Sequence, residues 1–292
     1  MSKTNIEVSS CGNSNAAPVT VVIPCYRCAK TIERALLSVI NQTLCPAEII
    51  LVDDGSADDT FSALQNLEKE YSGRVRILRL QKNEGVAHAR NAGWAEATQP
   101  YVAFLDADDA WHPKKIEIQY RYLDTHNNAV LCGHKHRVLE GQSNQPDWEI
   151  GECRVRQISK LSLLLSNPFI TPSVMIKRDV PYRFLDGRRH MEDHLLWMQI
   201  ICAGLPVISH SAELAAIYKP PFGASGLSSE IHEMEKADLA NYRMLYQQAS
   251  INLMQLISLT VYSLLKYFRR LGILQWRRLK HFFVQQKTGG QL

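Results

Sequence analysis

The sequence predicts an α/β fold in which a mostly parallel central sheet is flanked by helices, with a C-terminal helical extension. Two observations predict it. Apolar runs of strand length alternate with segments of helical periodicity between residues 19 and 109. These runs are continuously apolar, which is typical of parallel strands buried on both faces. The chain has 292 residues, of which 46% are hydrophobic and 21% are charged. This length and composition exclude a disordered protein and allow a sizeable core without disulfide staples.

The first half of the chain is predicted to repeat a strand–helix unit. The segment VTVVIPCY is the first buried strand, and Ile32, Leu36, Leu37 and Ile40 after it are spaced for a helix. Asp58 or Asp59 would cap the next helix. The predicted strands are 19–26, 48–56, 75–80 and 101–109, and the predicted helices are 30–42, one that begins after Asp59 and one that ends at Ala97.

Beyond Trp111 the alternation weakens. A loop of Pro, Gly and Ser spans 218–229, and the chain after it has helical periodicity. We predict helices near 113–125, 157–166 and 190–204, and strands near 129–140 and 171–179.

We divide the chain into three predicted parts. Residues 1–17 are small and polar and would form a flexible arm. Residues 18–230 would form the α/β domain, with a first half at 18–110 and a second at 111–230. Residues 231–292 would form a basic, amphipathic helical region.

Charge is distributed unevenly along the chain. The formal net charge is +4, but no Asp or Glu follows Asp238. Residues 239–292 carry eight basic side chains, whereas residues 1–238 carry 25 basic and 29 acidic ones. A basic tail on a mildly acidic body predicts contact with an anionic surface. Seven scattered cysteines and a start without an apolar run predict a chain that stays in the reducing cytosol.

Candidate site residues lie at or just after the ends of all four predicted strands of the first half. They include Pro24 and Tyr26, then Asp53 and Asp54, then the loop from Asn83 to Gly85, and then Asp106 to Asp109. Ligands of open parallel sheets bind beyond the carboxyl ends of the strands. A single acid at a strand end is commonly a helix cap. Two acidic ends and two polar loops on one edge instead favour a functional site.

The acidic group Asp106, Asp108 and Asp109 permits two interpretations. Three carboxylates within four residues repel one another unless a cation or hydrogen-bond donors compensate. They suit Mg²⁺ or Mn²⁺ that bridges a diphosphate. Alternatively, they are acids at a helix N-terminus with Asp109 as the cap. The triplet alone does not decide.

Four segments, in this order and spacing, resemble the nucleotide-sugar-binding half of family 2 glycosyltransferases. The resemblance implies the inverting mechanism and the Rossmann-like GT-A fold of that family. It is close over residues 19–113 and looser through MEDHLLWM (191–198) to GASGLSS (223–229). The segments are VTVVIPCYRCAKTIERALLSVINQT, EIILVDDGSADDT, NEGVAHARNAGWAEA and YVAFLDADD.

The resemblance also implies donor-binding roles. Arg27 is a departure, because the family often has Asn at that position, although an arginine there could still reach a phosphate. The resemblance implies that Pro24 and Tyr26 line the nucleoside pocket and that Asp54, with Asp53, accepts a hydrogen bond from the nucleobase. Arg90 and the backbone of Asn83–Gly85 would steady the nucleotide and its phosphates. Asp106 would face the ribose or the sugar, and Asp108 would hold the metal.

Asp193, in the pair Glu192-Asp193, matches the family's general base. An inverting transfer needs a base on the face opposite the leaving nucleotide. Glu192 would raise the pKa of Asp193 by like-charge coupling, or would instead pair with Arg188 or Arg189. Without the resemblance, the dipeptide is equally an ordinary pair of first-turn acids.

Two segments of the second half keep alternatives open. The loop at 225–229 resembles one that closes over the donor, or is a solvent-exposed linker. In the tail, polar residues share one helical side and apolar residues the other. The tail therefore favours an anionic membrane surface, but it could instead pack on the body or on a second subunit. Nucleic acid is not an expected partner.

The function implied is that of an inverting, metal-dependent glycosyltransferase. The donor would be a nucleotide sugar, with UDP the expected nucleotide, and the acceptor a hydroxyl of a glycan or lipid-linked oligosaccharide. The enzyme would lie peripherally on the inner face of the cytoplasmic membrane, and a homo-oligomer stays open. Two alternatives are a nucleotidyltransferase, which would need a Gly-rich basic loop after the first strand, and a catalytically silent binding protein. The carboxylates of Asp54, Asp108 and Asp193 argue against the silent protein.

Overall fold

The computed structural model describes residues 16–126, 128–139, 148–218 and 230–288, with the side chains of the last helix described to Ile273 and at Trp276. The chain forms a mixed α/β fold. Its strands are β1 (Ala17–Cys25), β2 (Pro46–Asp53), β3 (Val75–Arg79), β4 (Tyr101–Phe104), β5 (Ala110–Trp111), β6 (Leu131–Val138), β7 (Val155–Gln157), β8 (Met175–Lys177) and β9 (Val207–Ile217). Its helices are α1 (Ile32–Ile40), α2 (Thr60–Glu70), α3 (Val86–Glu96), α4 (Lys115–Thr125), α5 (Lys160–Leu165), α6 (Glu192–Cys202), α7 (Ile231–Gln247) and α8 (Leu253–Thr288).

The strands form one sheet in the order β3-β2-β1-β4-β8-β6-β9-β5, with β7 paired to β9. The half built from β3, β2, β1 and β4 is parallel throughout. The other half is mixed: β8 joins β4 and β6 in antiparallel pairs, whereas β6 and β9 run parallel. The carboxyl ends of β1, β2, β3 and β4 therefore meet at one edge of the sheet.

A hydrophobic core lies on each face of the sheet. Successive side chains of β1 alternate between the cores, because neighbouring residues of a strand point to opposite faces. Val22 belongs to the core under α3 and α6, whereas Val21 and Ile23 belong to the core under α1, α2 and α4. Gly93 lets α3 lie close to the sheet, since an added Cβ would be 2.4 Å from a methyl group of Val22.

The predicted fold class is confirmed: a central sheet is flanked by helices, and the C-terminal helical part is present as α7 and α8. The sequence did not predict β9, and it predicted a longer strand at 171–179 than β8. Of the predicted arm, residues 1–15 lie outside the described part of the chain, while Ala17 is buried and begins β1.

The region after residue 230 packs partly into the body. Tyr242 and Leu245 of α7 are fully buried in the same core as Trp197 of α6. Ile251, just before α8, and Leu259, within it, join this core. Helix α7 and the beginning of α8 therefore contribute to the stability of the α/β domain.

Helix α8 buries part of its polar side against the body and exposes many of its large apolar side chains. Ser263 is fully buried, and Lys266 donates a 2.8 Å hydrogen bond from Nζ to the carbonyl of Leu165. The opposite side is an exposed stripe of large apolar residues at intervals of three and four, which we call the α8 stripe. Its members are Met254, Ile257, Val261, Leu265 and Phe268, each more than half exposed, with Trp276 about two turns further along.

Candidate active site

A cavity of about 850 Å³ opens at the edge where the parallel strands end. Most of the site residues predicted from the sequence line it, from both halves of the chain. Asp53 and Asp193 are not among the lining residues, although each adjoins one that is. The predicted residues that line the cavity are Pro24, Tyr26, Asp54, Asn83, Gly85, Arg90, Asp106, Asp108 and Glu192.

Asp54 holds the loop that follows β3. Its Oδ1 and Oδ2 accept hydrogen bonds of 2.9 Å from the backbone amides of Glu84 and Gly85 respectively. Gly85 has a φ of +94°, which L-residues with a side chain rarely adopt. The carboxylate keeps lone pairs beyond the two amides, and it faces the cavity.

Asp53 supports the same region from beneath. Its side chain is fully buried, and its Oδ1 accepts a 3.1 Å hydrogen bond from the amide of Ser56. Its Oδ2 lies 3.5 Å from Nε of Arg79. The structure therefore gives Asp53 a place in the turn after β2 and not on the cavity surface.

Arg27 adopts a left-handed backbone conformation in the loop after β1, with a φ of +48°. Asn tolerates this region better than other residues with a side chain, which explains why Asn suits this position of the motif. The amide of Arg27 donates to Oγ of Ser56 at 3.2 Å, and its guanidinium lies 5.2 Å from the ring centroid of Tyr26. Arg27 therefore adopts the loop conformation that suits Asn and adds a cation at the cavity mouth.

Arg90 joins the two halves of the site. Its Nη2 donates to Asp106 at 2.7 Å and its Nη1 to Glu192 at 3.0 Å, and its side chain is only 5% exposed. Burial lowers the pKa of Arg90, but the charges of Asp106 and Glu192 outweigh burial and raise it above the ordinary value. We expected this guanidinium to steady the nucleotide, but both of its terminal nitrogens donate to carboxylates.

The acidic loop after β4 turns sharply. The amide of Asp109 donates to the carbonyl of Asp106 at 3.0 Å, which buries the Asp109 side chain and leaves Asp106 and Asp108 at the cavity. The carbonyl of Asp108 accepts a 2.6 Å hydrogen bond from Nη2 of Arg34, whose guanidinium stacks on Tyr218. The loop is therefore fixed from α1.

A divalent cation fits this loop as a site with few protein ligands. Within the described ranges, no three His, Cys, Asp or Glu side chains converge as a metal cage. Mg²⁺ and related ions are commonly held by one or two carboxylates, with water and substrate phosphates completing the shell. Asp108 lines the cavity next to Asp106, so this loop offers the one or two carboxylates that such a site needs.

Asp193 lies in the first turn of α6, directly after Glu192. Its Oδ1 accepts a 2.6 Å hydrogen bond from the backbone amide of His194, and its Oδ2 accepts a 3.3 Å hydrogen bond from Nδ2 of Asn167. Burial raises the pKa of Asp193 to about 6, and the charge of Glu192 adds to the effect, while His194 and Arg90 oppose it. A carboxylate with this pKa is ionised at neutral pH and is a better proton acceptor than an ordinary aspartate.

The structure adds site residues that the motifs did not reveal. Arg34 supports the acidic loop from 74 positions away, and Asn241 of α7 donates from Nδ2 to the carbonyl of Met191 at 2.9 Å. Met191 precedes α6 with a left-handed φ of +57°. Only the fold brings these residues to the site, so no local pattern could have identified them. The loop at 225–229 lies outside the described residues.

Comparison with known proteins gives a consistent result. The sequence profile described as "Glycosyl transferase family 2" matches residues 20–178. The amylovoran biosynthesis glycosyltransferase AmsE of Erwinia amylovora is 31% identical over 196 residues, which are 64% of this chain and 71% of that protein. The UDP-Glc:alpha-D-GlcNAc-diphosphoundecaprenol beta-1,3-glucosyltransferase WfgD of Escherichia coli is 29% identical over 185 residues, 63% of this chain and 69% of that one. An uncharacterized glycosyltransferase of Nostoc sp. is 34% identical over 131 residues, 44% of this chain but only 39% of the relative.

Solved structures share the fold. The structure of S. aureus TarS 1-349 in complex with UDP-GlcNAc has a TM-score of 0.66 at 18% identity, over 86% of this chain and 72% of that one. The mannosyltransferase PcManGT from Pyrobaculum calidifontis, in complex with GDP-Man and Mn²⁺, has a TM-score of 0.58 at 17% identity, over 80% of this chain and 66% of that one. At these identities the similarity concerns the fold alone.

Proposed function

The chain belongs to glycosyltransferase family 2, and on that premise we propose that it transfers a sugar from a nucleotide diphosphate donor to a hydroxyl of a glycan, with inversion at the anomeric carbon. One observation carries the proposal. A single cavity brings together Asp54, Asp106 and Asp108 from the parallel strand ends and Glu192 from α6, with Asp193 next in the chain. The residues proposed to bind the sugar donor and the residue proposed to accept the proton are therefore neighbours.

The nucleoside binds where β1 and β2 end. Tyr26 is 43% exposed and offers an aromatic face at the cavity mouth. Asp54 keeps an acceptor position for the N–H of a base, and uracil provides one. The names of two related proteins support UDP, since WfgD is named for UDP-Glc and TarS is seen with UDP-GlcNAc.

A divalent cation, Mn²⁺ or Mg²⁺, would be held by Asp108, and it would neutralise the charge of the departing diphosphate. The relative PcManGT is seen with Mn²⁺. Arg90 holds Asp106 by charge and hydrogen bonding, which helps to position the loop that carries Asp108. Arg34 fixes the backbone of the same loop.

Asp193 removes the proton from the acceptor hydroxyl. As the acceptor oxygen bonds to the anomeric carbon, its proton passes to the Asp193 carboxylate, and the bond from the sugar to the diphosphate breaks with its electron pair on the leaving nucleotide. The raised pKa of Asp193 strengthens it as a base at neutral pH. Glu192, bonded to Arg90, supplies the neighbouring negative charge and not a second base.

The acceptor we propose is a lipid-linked glycan used in surface polysaccharide synthesis, reached from the inner face of the cytoplasmic membrane. No helix in the described ranges is both long and apolar enough to cross a bilayer. The α8 stripe would lie in the membrane interface, since amphipathic helices with basic flanks bind anionic lipid. Residues 18–230 would be the catalytic domain and 231–292 the membrane-facing region, anchored to it by Tyr242 and Leu245.

The test is a transfer and hydrolysis assay with the purified full chain. It uses a panel of UDP- and GDP-sugars with Mn²⁺, and NMR reads the anomeric configuration of any product. We expect slow release of free sugar and UDP without acceptor, and an inverted linkage with acceptor. Retention of the anomeric configuration, or nucleotide release without any sugar release, would contradict the proposal.

A further inference from the structure

Two arginines form part of the cavity wall on the side of α6. Arg188 and Arg189 lie in the loop between β8 and α6, and both line the cavity together with Gly187. Gly187 has a φ of +74°, so the loop turns sharply just before them. Neither arginine corresponds to a motif that the sequence assigned to the donor.

Arg188 is fastened by α7. Its Nη1 donates to the carbonyl of Ala237 at 3.4 Å and also to Oδ1 of Asn241. Asn241 is fully buried, and its Nδ2 bonds to the carbonyl of Met191, two residues before Asp193. The side-chain amide of Asn241 therefore holds both the guanidinium of Arg188 and the turn that leads to the proposed base.

In the described part of the chain, no carboxylate pairs with either of these guanidinium groups. Among the described residues, neither Arg188 nor Arg189 forms an ion pair, whereas Arg90 in the same cavity forms two. Burial lowers the pKa of Arg188, with no opposing contribution from a neighbouring carboxylate. Two adjacent cations that line the cavity and form no ion pair among the described residues match an anionic ligand, and a guanidinium binds phosphate oxygens in pairs.

We propose that Arg188 and Arg189 bind the phosphate groups of the acceptor. The inference rests on the proposed function and names the acceptor class as a sugar diphosphate. The donor diphosphate lies at the strand ends near Asp108, and the arginines lie on the loop that leads into α6. An anion bound by them is therefore beside Asp193, where the acceptor hydroxyl must be.

The first experiment measures binding without catalysis. Geranyl diphosphate is titrated calorimetrically into the full chain saturated with UDP and Mn²⁺, so that the donor site is occupied. We expect binding to the wild type, and a dissociation constant about 10-fold or more higher for R189Q, since a hydrogen bond between charged groups contributes that much. R188K, which keeps the charge but not the fork, should weaken binding less than R188Q. R121Q is the control, because Arg121 is 73% exposed on α4 and, among the residues that the structure describes, forms an ion pair only with Glu117.

The second experiment compares two acceptors in the transfer assay, an alkyl-linked sugar diphosphate and a neutral alkyl glycoside of the same sugar. R189Q should raise KM for the diphosphate acceptor about 10-fold, with KM for the donor and for the neutral acceptor changed less than about twofold. Equal geranyl diphosphate binding by wild type and R189Q overturns the inference, as does a rise in the donor KM alone. If the wild type binds geranyl diphosphate but transfers no sugar, the proposed function fails, and the acceptor assignment fails with it. If transfer proceeds equally well in R189Q and the wild type, only the inference fails.

Discussion

The substitution Asp193→Asn separates catalysis from stability. It removes the carboxylate that we propose as the base and keeps the size and shape of the side chain. The amide oxygen can still accept from the backbone of His194, and the bond lost is the longer one of 3.3 Å from Asn167. Positioned general bases contribute about 10²- to 10⁴-fold to rate. We therefore expect transfer to fall at least 100-fold, with donor binding nearly unchanged.

The same substitution should stabilise the protein at neutral pH. The pKa of Asp193 is raised from 3.8 to about 6, so ionised Asp193 opposes folding above pH 6. Two pKa units correspond to about 3 kcal/mol, which solvent contact and the lost hydrogen bond reduce to about 1–2 kcal/mol. For a chain of this size that is an increase in Tm of about 2–3 °C. The advantage should shrink as pH falls from 6 to 4, because the native carboxyl is then protonated and neutral.

Two assays check this pair of effects. Transfer and UDP-sugar binding are measured for both proteins at pH 7.5, and thermal unfolding is followed from pH 4 to pH 8. Turnover within about threefold of the wild type would refute the role of Asp193 as base. A Tm difference that does not change with pH would refute the reasoning about its burial.

The other predictions concern separate features of the site and the tail. E192Q should move the acid limb of the kcat profile to lower pH, because a neutral neighbour no longer raises the pKa of the base; an unmoved limb would exclude this coupling. G55A should destabilise the fold by about 2–4 kcal/mol in denaturant titrations, since residue 55 has a φ of +63° and an added Cβ would meet backbone at 2.5 Å. Chelation with EDTA and the variant D108A should each abolish Mn²⁺-dependent thermal stabilisation by UDP, and full activity in excess chelator would contradict the metal role. V261D should reduce sedimentation with vesicles containing phosphatidylglycerol, whereas V138D, on the β6 strand, should not; unchanged sedimentation would contradict binding through the α8 stripe.

The first half of the fold could be predicted because its signals are local. Four continuous apolar strands, each ending in polar residues, indicate a parallel sheet and the edge where its ligands bind. The second half carries weaker signals. Strand β9 mixes His210, Glu213 and several alanines, so its own periodicity does not indicate a strand. Its pairing with β6 and β5 makes it one.

The partners of the site residues could not be predicted from the sequence. Arg90 and Glu192 are 102 positions apart, and only the fold, in which α3 and α6 contribute to the same core, brings them together. The periodicity of α8 reveals two sides but not which side faces the body. The buried acids Glu235 and Asp238 of α7 favour an arrangement in which the basic side of α8 faces the body, because Lys266 lies near both of them. The result is an outward apolar stripe, with part of the basic side turned inward.

A crystal structure with an intact UDP-sugar and Mn²⁺ tests the central claim most directly. The account predicts the metal on Asp108, the diphosphate in the cavity, and the Asp193 carboxylate on the opposite side of the anomeric carbon, separated from it by the space of one acceptor hydroxyl. A nucleotide bound with Asp193 on the same side as its diphosphate, or bound outside this cavity, would contradict it.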